Sequence, residues 1–414
     1  MSEGPLAGIR VLDIATMLAG PYGATLLGDL GADVIKVESH YGDDSRHLGP
    51  RCADQRTSYL SLNRNKRAIV LDLREPGARD VFAKLAATTD ILITNIREPA
   101  LSNLSLAYEQ VKAHRPDIIW IGVTAFGPDG PYAGRPGIDF LAQGYAGLLA
   151  MNGHPGDDPV RVTVPVIDVM TSELVCTSAL AAIIARGKSG EGQRIDVSLL
   201  DALTHANAPN IGAFVNGGEE PPKTGNRSQY FSPSGVYTSG DGRAVVITCP
   251  SDKFFRNLCS AIELDIADDP KFVSVEARQK HEEELDGLIG ERCRAYGRDE
   301  LVERLIAADV LTAPIKSIPE VVEDEQILHN EMIVASEHPT AGTIRLTGVP
   351  VKLRGTPGSI RRAPPQLGEN THELLEELGY AKDAIDSLRR EKLVATAEDV
   401  QNAKQERRRR KQSS

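Results

Sequence analysis

The chain has 414 residues, 47 Lys and Arg against 58 Asp and Glu, a net charge of −11, 41% hydrophobic residues and 5% aromatics. That length buries a sizeable core and points to two or three domains, and ordinary apolar content with a quarter of charged residues excludes disordered, collagen-like and coiled-coil rod classes. Six basic residues against Glu406 give the last eleven positions +5 and leave −16 on the rest, a balance that repels a phosphate backbone and makes nucleic acid a poor partner.

The longest unbroken apolar runs, such as Ala179–Ala185, are shorter than a bilayer requires, and Glu3 stands where a secretory leader would carry positive charge. No membrane partner and a cytoplasmic location are therefore expected. Cys52, Cys176, Cys249, Cys259 and Cys293 are scattered, with no CxxC pair and no histidine at ligand spacing, so a reducing compartment and no metal site are expected.

In chain order, Ile9–Ile14 reads as a strand, and a helix opens at Gly20-Pro21 and stops at Gly31. Strands are predicted at Asp33–Glu38, Ala68–Leu73, Asp90–Thr94 and Ile118–Thr124, with helices at Gly77–Ala87 and Tyr108–His114 between them. This βαβ alternation predicts an α/β fold with a Rossmann-like parallel sheet. A long helix follows from about Val169 to Arg186, then a strand at Ile195–Leu199. From Pro221 the texture turns to Gly/Pro/Ser turns, a strand at Ala244–Cys249 and polar amphipathic helices, which predicts a smaller α+β domain over 221–337 between a first large-domain segment (1–205) and a C-terminal return (338–395). Two short strands separated by Gly348 and a helix at Thr371–Leu378 are placed in that return, and 396–414 reads as a solvated basic tail.

No GxGxxG opens a helix after a strand, no GxxxxGK[ST] occurs, and no GxSxG elbow is present, which removes the usual dinucleotide, P-loop and hydrolase signatures. Three features remain. Arg64, Lys66, Arg67 and Arg74 flank one strand, a cluster that either holds a phosphorylated anion or is a solvated strand entry. The run Phe126–Asp139 leaves backbone amides free near the carboxyl end of a strand, where α/β folds bind ligands, or is an ordinary Gly/Pro loop. Asp168 follows an apolar run at the start of the long helix. Taken alone it reads as a helix cap, and capping does not exclude chemistry, since the positive helix end also holds a carboxylate ionised.

Together the segments GIRVLDIATMLAGPYGATLLGDLGADVIKVE (8–38), GDDSR (42–46), LNRNKRAIVLDLREPG (62–77), ILITNIREP (91–99), AFGPDGPYAGRPGIDF (125–140), GEGQRIDVSLLDA (190–202), TGNRSQYFSPSGVYTSGDG (224–242) and HPTAGTIRLTGVPVKL (338–353) resemble the class III CoA-transferases and the related alpha-methylacyl-CoA racemases. The resemblance implies a large domain built from both termini, a small domain inserted between them, and an interlocked homodimer whose active site lies between the domains. It implies that Asp168 is the catalytic nucleophile, passing through an aspartyl-acyl anhydride and an aspartyl-CoA thioester. It places CoA against Met17, Leu18, Ala19, Arg74, Asn95, Ile96, Phe126 and Gly127, with the basic cluster and GDDSR near the nucleotide end. TNIREP stands where many members carry ENFRPG, so the diphosphate grip differs. The partners implied are an acyl-CoA donor, succinyl-CoA by default, and a small carboxylic acid acceptor. CoA thioester is substrate, and no tightly bound cofactor is expected.

Two other readings are open to test. Racemases of the group carry a proton-exchanging histidine where this chain has Ile138, and isoleucine carries no proton. A non-catalytic acyl-CoA-binding homologue would not need Asp168. Low aromatic content and the polar run Asn226–Gln229 favour a small polar acceptor, with Arg227 either pairing a second carboxylate or making a surface salt bridge.

Overall fold

The computed structural model describes residues 4–412. Seven strands form one sheet in the order Val394–Ala395, Lys66–Leu71, Asp33–Glu38, Arg10–Asp13, Ile91–Thr94, Ile119–Thr124, Arg194–Ser198. All neighbours are parallel except Val394–Ala395, which runs antiparallel along Lys66–Leu71. The mixed α/β class with a parallel-dominated sheet is as the alternation predicts.

Parallel sheets are covered on both faces, so their strands read as near-continuous apolar runs. One face carries Leu12, Ile35, Ile69, Leu92 and Trp120, packed under Val81, Phe82 and Leu85 and under Leu374, Leu375 and Ile385. The first three of these covering residues lie on the helix Pro76–Ala87, opened by Pro76 at a position where the missing N–H costs nothing. Each fully buried aliphatic side chain contributes roughly 1.5–3 kcal/mol.

The alternate residues Val11, Val34, Ile91, Ile93, Ile119 and Ile121 are buried as well, and the helices Ala19–Asp29 and Val166–Ser189 pack together beside them. The two helices approach closely at Gly23, where a Cβ would fall 2.7 Å from Cγ1 of Val175 and 3.2 Å from the Ser172 carbonyl.

The helix Val166–Ser189 corrects the expectation that no segment is long enough to cross a membrane. At 24 residues it is long and apolar enough by length and composition, because the small residues Thr171, Ser172, Cys176, Thr177 and Ser178 link short apolar runs without adding charge. Its line Ile167, Thr171, Val175, Ala179 and Ala182 is buried, which is the stripe by which a core helix packs.

The chain divides into two units. One gathers the N-terminal segment to Ala146, Thr163–Pro209 and the segment from Gln326 onward; the other gathers Gly147–Val162 and Asn210–Glu325. The second has an antiparallel sheet in the order Leu311–Pro314, Ala244–Thr248, Ser234–Thr238, with Val245, Ile247, Phe255, Leu258, Ile289 and Leu305 in its core.

In the first unit, Ile333–His338 and Gly342–Thr347 form a hairpin. The two strands therefore meet at residues 339–341 rather than flanking Gly348, since Gly342 at φ +68° makes the turn and Pro350 cannot donate to a ladder. The helix Ala397–Gln412 occupies the stretch read as a basic tail; the side chains of Lys404 and of residues 407–412 lie outside the described residues.

Candidate active site

The chain runs from the central strand Arg10–Asp13 outward to Lys66–Leu71, then returns to the other side of the central strand at Ile91–Thr94. This reversal leaves a crevice where the loops after the two strands diverge, the position at which open α/β sheets bind ligands. Asn95 spans it: its Oδ1 accepts the Thr16 N–H at 3.0 Å and its Nδ2 donates to the Thr16 carbonyl at 2.9 Å. Met17, Leu18, Ala19, Asn95 and Ile96 are thus brought to one crevice although about eighty residues separate the two loops.

Met17 has φ +72°, a left-handed conformation that costs a non-glycine residue about 1–2 kcal/mol. Its N–H is taken by Asp43 Oδ1 at 3.2 Å. Beneath the loop lies a buried quartet of charges. Asp13 Oδ2 accepts from Lys36 at 3.2 Å and Lys66 at 2.8 Å, and Lys36 also pairs Asp43 at 2.8 Å. Lys36 Nζ donates to the Ala15 carbonyl at 2.9 Å, Lys66 Nζ to the Pro21 carbonyl at 2.7 Å, and Asp13 Oδ1 accepts the Ala15 N–H at 3.1 Å. Burial opposes the charged forms, but the Asp13 and Asp43 carboxylates hold Lys36 well above the usual lysine range, and Lys36 with Ser45 brings Asp43 down to about 2.

These contacts correct the reading of the basic segments. Arg64 is buried against Asp29 at 2.6 Å, Lys66 belongs to the quartet, and Arg67 pairs Asp33 at 2.6 Å and Glu373 at 2.8 Å. In GDDSR, Asp43 is buried and Arg46 pairs Glu38 at 2.7 Å and lies over the Tyr59 ring. These side chains are neither a solvated strand entry nor free for an anion, because each charge is neutralised inside the fold. Arg74 differs: it is 76% exposed and, among the described residues, forms its ion pair with Asp72 at 2.6 Å. Arg227, in the second unit, makes a salt bridge to Asp286 at 2.8 Å.

The helix of Asp168 begins at Val166, so Asp168 lies in its first turn and not at the cap. The cap is supplied from elsewhere. Asp139 Oδ2 accepts the Ile167 N–H at 2.9 Å and the Asp168 N–H at 3.4 Å, while the buried Gln143 amide donates to Asp139 Oδ1 at 2.7 Å. With Asp139 taking the amides, the Asp168 carboxylate has no hydrogen bond among the described residues. Burial first, and the negative charge of Asp139 second, push the Asp168 carboxyl up to about 7. One turn on, Ser172 Oγ lies 2.8 Å from the Asp168 carbonyl and 2.9 Å from the Ala19 carbonyl, which ties the nucleophile candidate to the Met17–Ala19 loop.

Phe126 and Gly127 follow the strand Ile119–Thr124. Gly127, at φ +106°, donates its N–H to Thr124 Oγ1 at 3.0 Å. Phe126 packs edge-on against Tyr132 and Tyr145, and a Cβ on Gly137 would lie 2.4 Å from Cβ of Ala125, so this loop is pressed against the turn that delivers Asp139. Ile138, just before it, is 61% exposed. Cys176 is buried, which pushes its thiol up to about 12 and leaves it an inert packing residue. Among the described residues no three His, Cys, Asp or Glu side chains are grouped to hold a metal.

A topological switch point, with a desolvated carboxylate on a helix start tied to one of its loops through Ser172, suits covalent acyl transfer. The model of CoA-transferase family III matches residues 6–371, and the chain belongs to that family and is an enzyme of the CoA-transferase class. It is 33% identical to succinate–glutarate CoA-transferase of Agrobacterium fabrum, over 90% of this chain and 96% of that one. It is 32% identical to human succinyl-CoA:glutarate CoA-transferase, over 93% and 88%, and 33% identical to the beta subunit of succinyl-CoA–L-malate CoA-transferase of Chloroflexus aurantiacus, over 94% and 98%. Among solved structures, a CaiB/BaiF family protein from Brucella suis has a TM-score of 0.85 at 30% identity, covering 91% of this chain and all of that one.

Proposed function

We propose that the protein moves CoA from succinyl-CoA to a small, polar dicarboxylic acid, with Asp168 as covalent nucleophile. The observation that carries this is Asp168 itself: a half-buried carboxylate with no hydrogen bond among the described residues, on a helix tied through Ser172 to the crevice loop. Desolvation raises the energy of the carboxylate and so its nucleophilicity. The carboxylate attacks the thioester carbon, and CoA thiolate leaves, giving the aspartyl-acyl anhydride. CoA thiolate then attacks the aspartyl carbonyl and releases the donor acid, leaving an aspartyl-CoA thioester. The acceptor carboxylate attacks that thioester, and the returning thiolate takes up the acceptor acyl group and frees Asp168. One thioester replaces another, so no external energy source enters. The succinyl, glutarate and malate names of the relatives support a dicarboxylic pair of substrates.

The same reading sets CoA against Met17, Leu18, Ala19, Arg74, Asn95, Ile96, Phe126 and Gly127, and makes the working form a homodimer. Exposed apolar side chains support a partner subunit: Ile184 on the helix Val166–Ser189 and, in the other unit, Phe214 and Val215. Sedimentation of the purified protein checks this: a monomer at micromolar concentration refutes the dimer.

The test of the chemistry is intact-protein mass spectrometry after incubation with a panel of acyl-CoA donors, quenched with hydroxylamine or borohydride, on wild type and Asp168→Ala. A donor-dependent modification at Asp168, absent from the variant, is expected. Unmodified Asp168 with α-deuterium exchange into the acyl-CoA would instead establish an isomerase.

A further inference from the structure

The crevice loop is held from below by four buried charges that no sequence-adjacent contact requires. Asp13, Lys36, Asp43 and Lys66 are each at most 1% exposed, come from three strands and one turn, and sum to zero charge when all are ionised. Apolar side chains of similar volume would fill such a space at equal or lower free energy, so stability alone does not account for the arrangement. Its contacts do. Each member reaches the backbone of the segment Ala15–Pro21: Asp13 the Ala15 N–H, Lys36 the Ala15 carbonyl, Asp43 the Met17 N–H and Lys66 the Pro21 carbonyl. Only Asp43 touches the residue that is in the left-handed region, Met17 at φ +72°. Asp43 Oδ1 also accepts from the Ser45 N–H and hydroxyl at 2.8 and 2.7 Å, and Oδ2 faces Lys36. Oδ1 therefore accepts three hydrogen bonds, while the buried Oδ2 is held by the Lys36 charge without an aligned hydrogen bond. The helix that follows, Ala19–Asp29, opens with no side-chain cap, so the conformation of Met17 and Leu18 decides how its first amides are presented.

We propose that this quartet presets the loop Ala15–Pro21 for coenzyme A and that Asp43, through the Met17 amide, is its positioning residue. The inference rests on the reading that places CoA at this loop, and it assigns a cause to the loop's shape. Asp43 does not touch substrate; it acts by holding Met17 in a conformation that methionine does not adopt unaided.

Binding of free coenzyme A, measured by calorimetric titration, is the readout because it does not depend on Asp168 chemistry. Asp43→Asn is isosteric but turns one donor of its own toward a donor, either Lys36 or the Met17 and Ser45 groups. It is expected to raise the Kd for CoA about ten-fold or more, and the KM for donor likewise, with kcat within about two-fold. In a Met17→Gly background the Asp43→Asn penalty is expected to shrink to about two-fold, since glycine reaches positive φ without a tether. Met17→Asn and Met17→Val both remove the exposed thioether, yet asparagine tolerates the left-handed region and valine does not, so valine is expected to bind CoA at least about five-fold more weakly.

An Asp43→Asn protein that folds and binds CoA as wild type does overturns the proposal. If that variant does not fold, equal affinities of Met17→Asn and Met17→Val overturn it. Wild type that binds CoA with these differences while no donor modifies Asp168 refutes the covalent transfer reading and leaves this inference standing; wild type that does not bind CoA refutes both.

Discussion

The Asp139 carboxylate caps the helix on which Asp168 stands, accepting the Ile167 N–H at 2.9 Å and that of Asp168 at 3.4 Å. One side chain thereby does two opposed things. It secures the position of Asp168 by satisfying first-turn amides, and its negative charge raises the free energy of the Asp168 carboxylate.

The pH profile follows from this pair. Only ionised Asp168 attacks a thioester, so kcat/KM for the donor is expected to rise with pH through about 7 and level off above it. Asp139→Asn removes the smaller of the two causes and is expected to move the rising limb to lower pH while burial keeps it above the ordinary carboxylate range. Initial rates of both proteins between pH 5 and 9 decide it; an unmoved limb would exclude the charge of Asp139 as a cause.

Stability is expected to change in the opposite sense to activity. Folded Asp168 holds its proton up to about 7 whereas the unfolded chain releases it near 3.8, so between these values this group binds more protons in the folded state and its contribution to stability falls as pH rises. Asp168→Asn lacks this loss. Its advantage over wild type grows through that window and is constant above it, at up to about 4 kcal/mol from 1.4 kcal/mol per pH unit. Urea unfolding at pH 5 and pH 8 should show the difference larger at pH 8.

Gly23→Ala is expected to wedge the helices Ala19–Asp29 and Val166–Ser189 apart. Its methyl would fall 2.7 Å from Val175 Cγ1 and 3.2 Å from the Ser172 carbonyl, and overpacking of this kind costs about 1–3 kcal/mol. Because Ser172 bonds both Ala19 and Asp168, kcat is expected to fall as well. A thermal melt paired with steady-state kinetics tests both halves, and an unchanged melting temperature would contradict the close approach.

Asp13→Asn leaves two buried ammonium groups short of their shared carboxylate. Breaking a buried ion pair from one side costs roughly 3–5 kcal/mol, so a marked drop in the urea midpoint is expected. A shift within error would show that Asp43 alone neutralises both lysines.

Arg74→Ala is expected to leave the melting temperature unchanged and to raise KM for the acyl-CoA several-fold. The side chain is 76% exposed and its partner Asp72 is a local one, so its loss removes a cation from solvent and not from the core. An unaltered KM would remove Arg74 from the CoA site.

The order of strands and helices was legible because parallel strands are buried on both faces and their covering helices carry a 3.6-residue stripe; the first leaves a near-continuous buried run, as in Ile119–Thr124, and the second a periodic mark, as in Val166–Ser189. The long resemblance named the chemistry and pointed to Asp168 and the crevice loops. The fate of the charges was not legible. Arg64, Lys66 and Arg67 look solvated in sequence, yet each is buried beside a carboxylate from 34 to 53 positions away or further. Lys36 inside the strand Asp33–Glu38 and Asp13 inside Ile9–Ile14 are the local signs of a buried network. Likewise Asp168 taken alone reads as a cap because its own position allows it, while the actual cap, Asp139, arrives from 28 residues before the Ile167 amide it takes. Local periodicity depends on neighbours in the chain and can be read from them; neutralisation of a buried charge depends on which distant group shares its low-dielectric surroundings, and only the tertiary structure decides that.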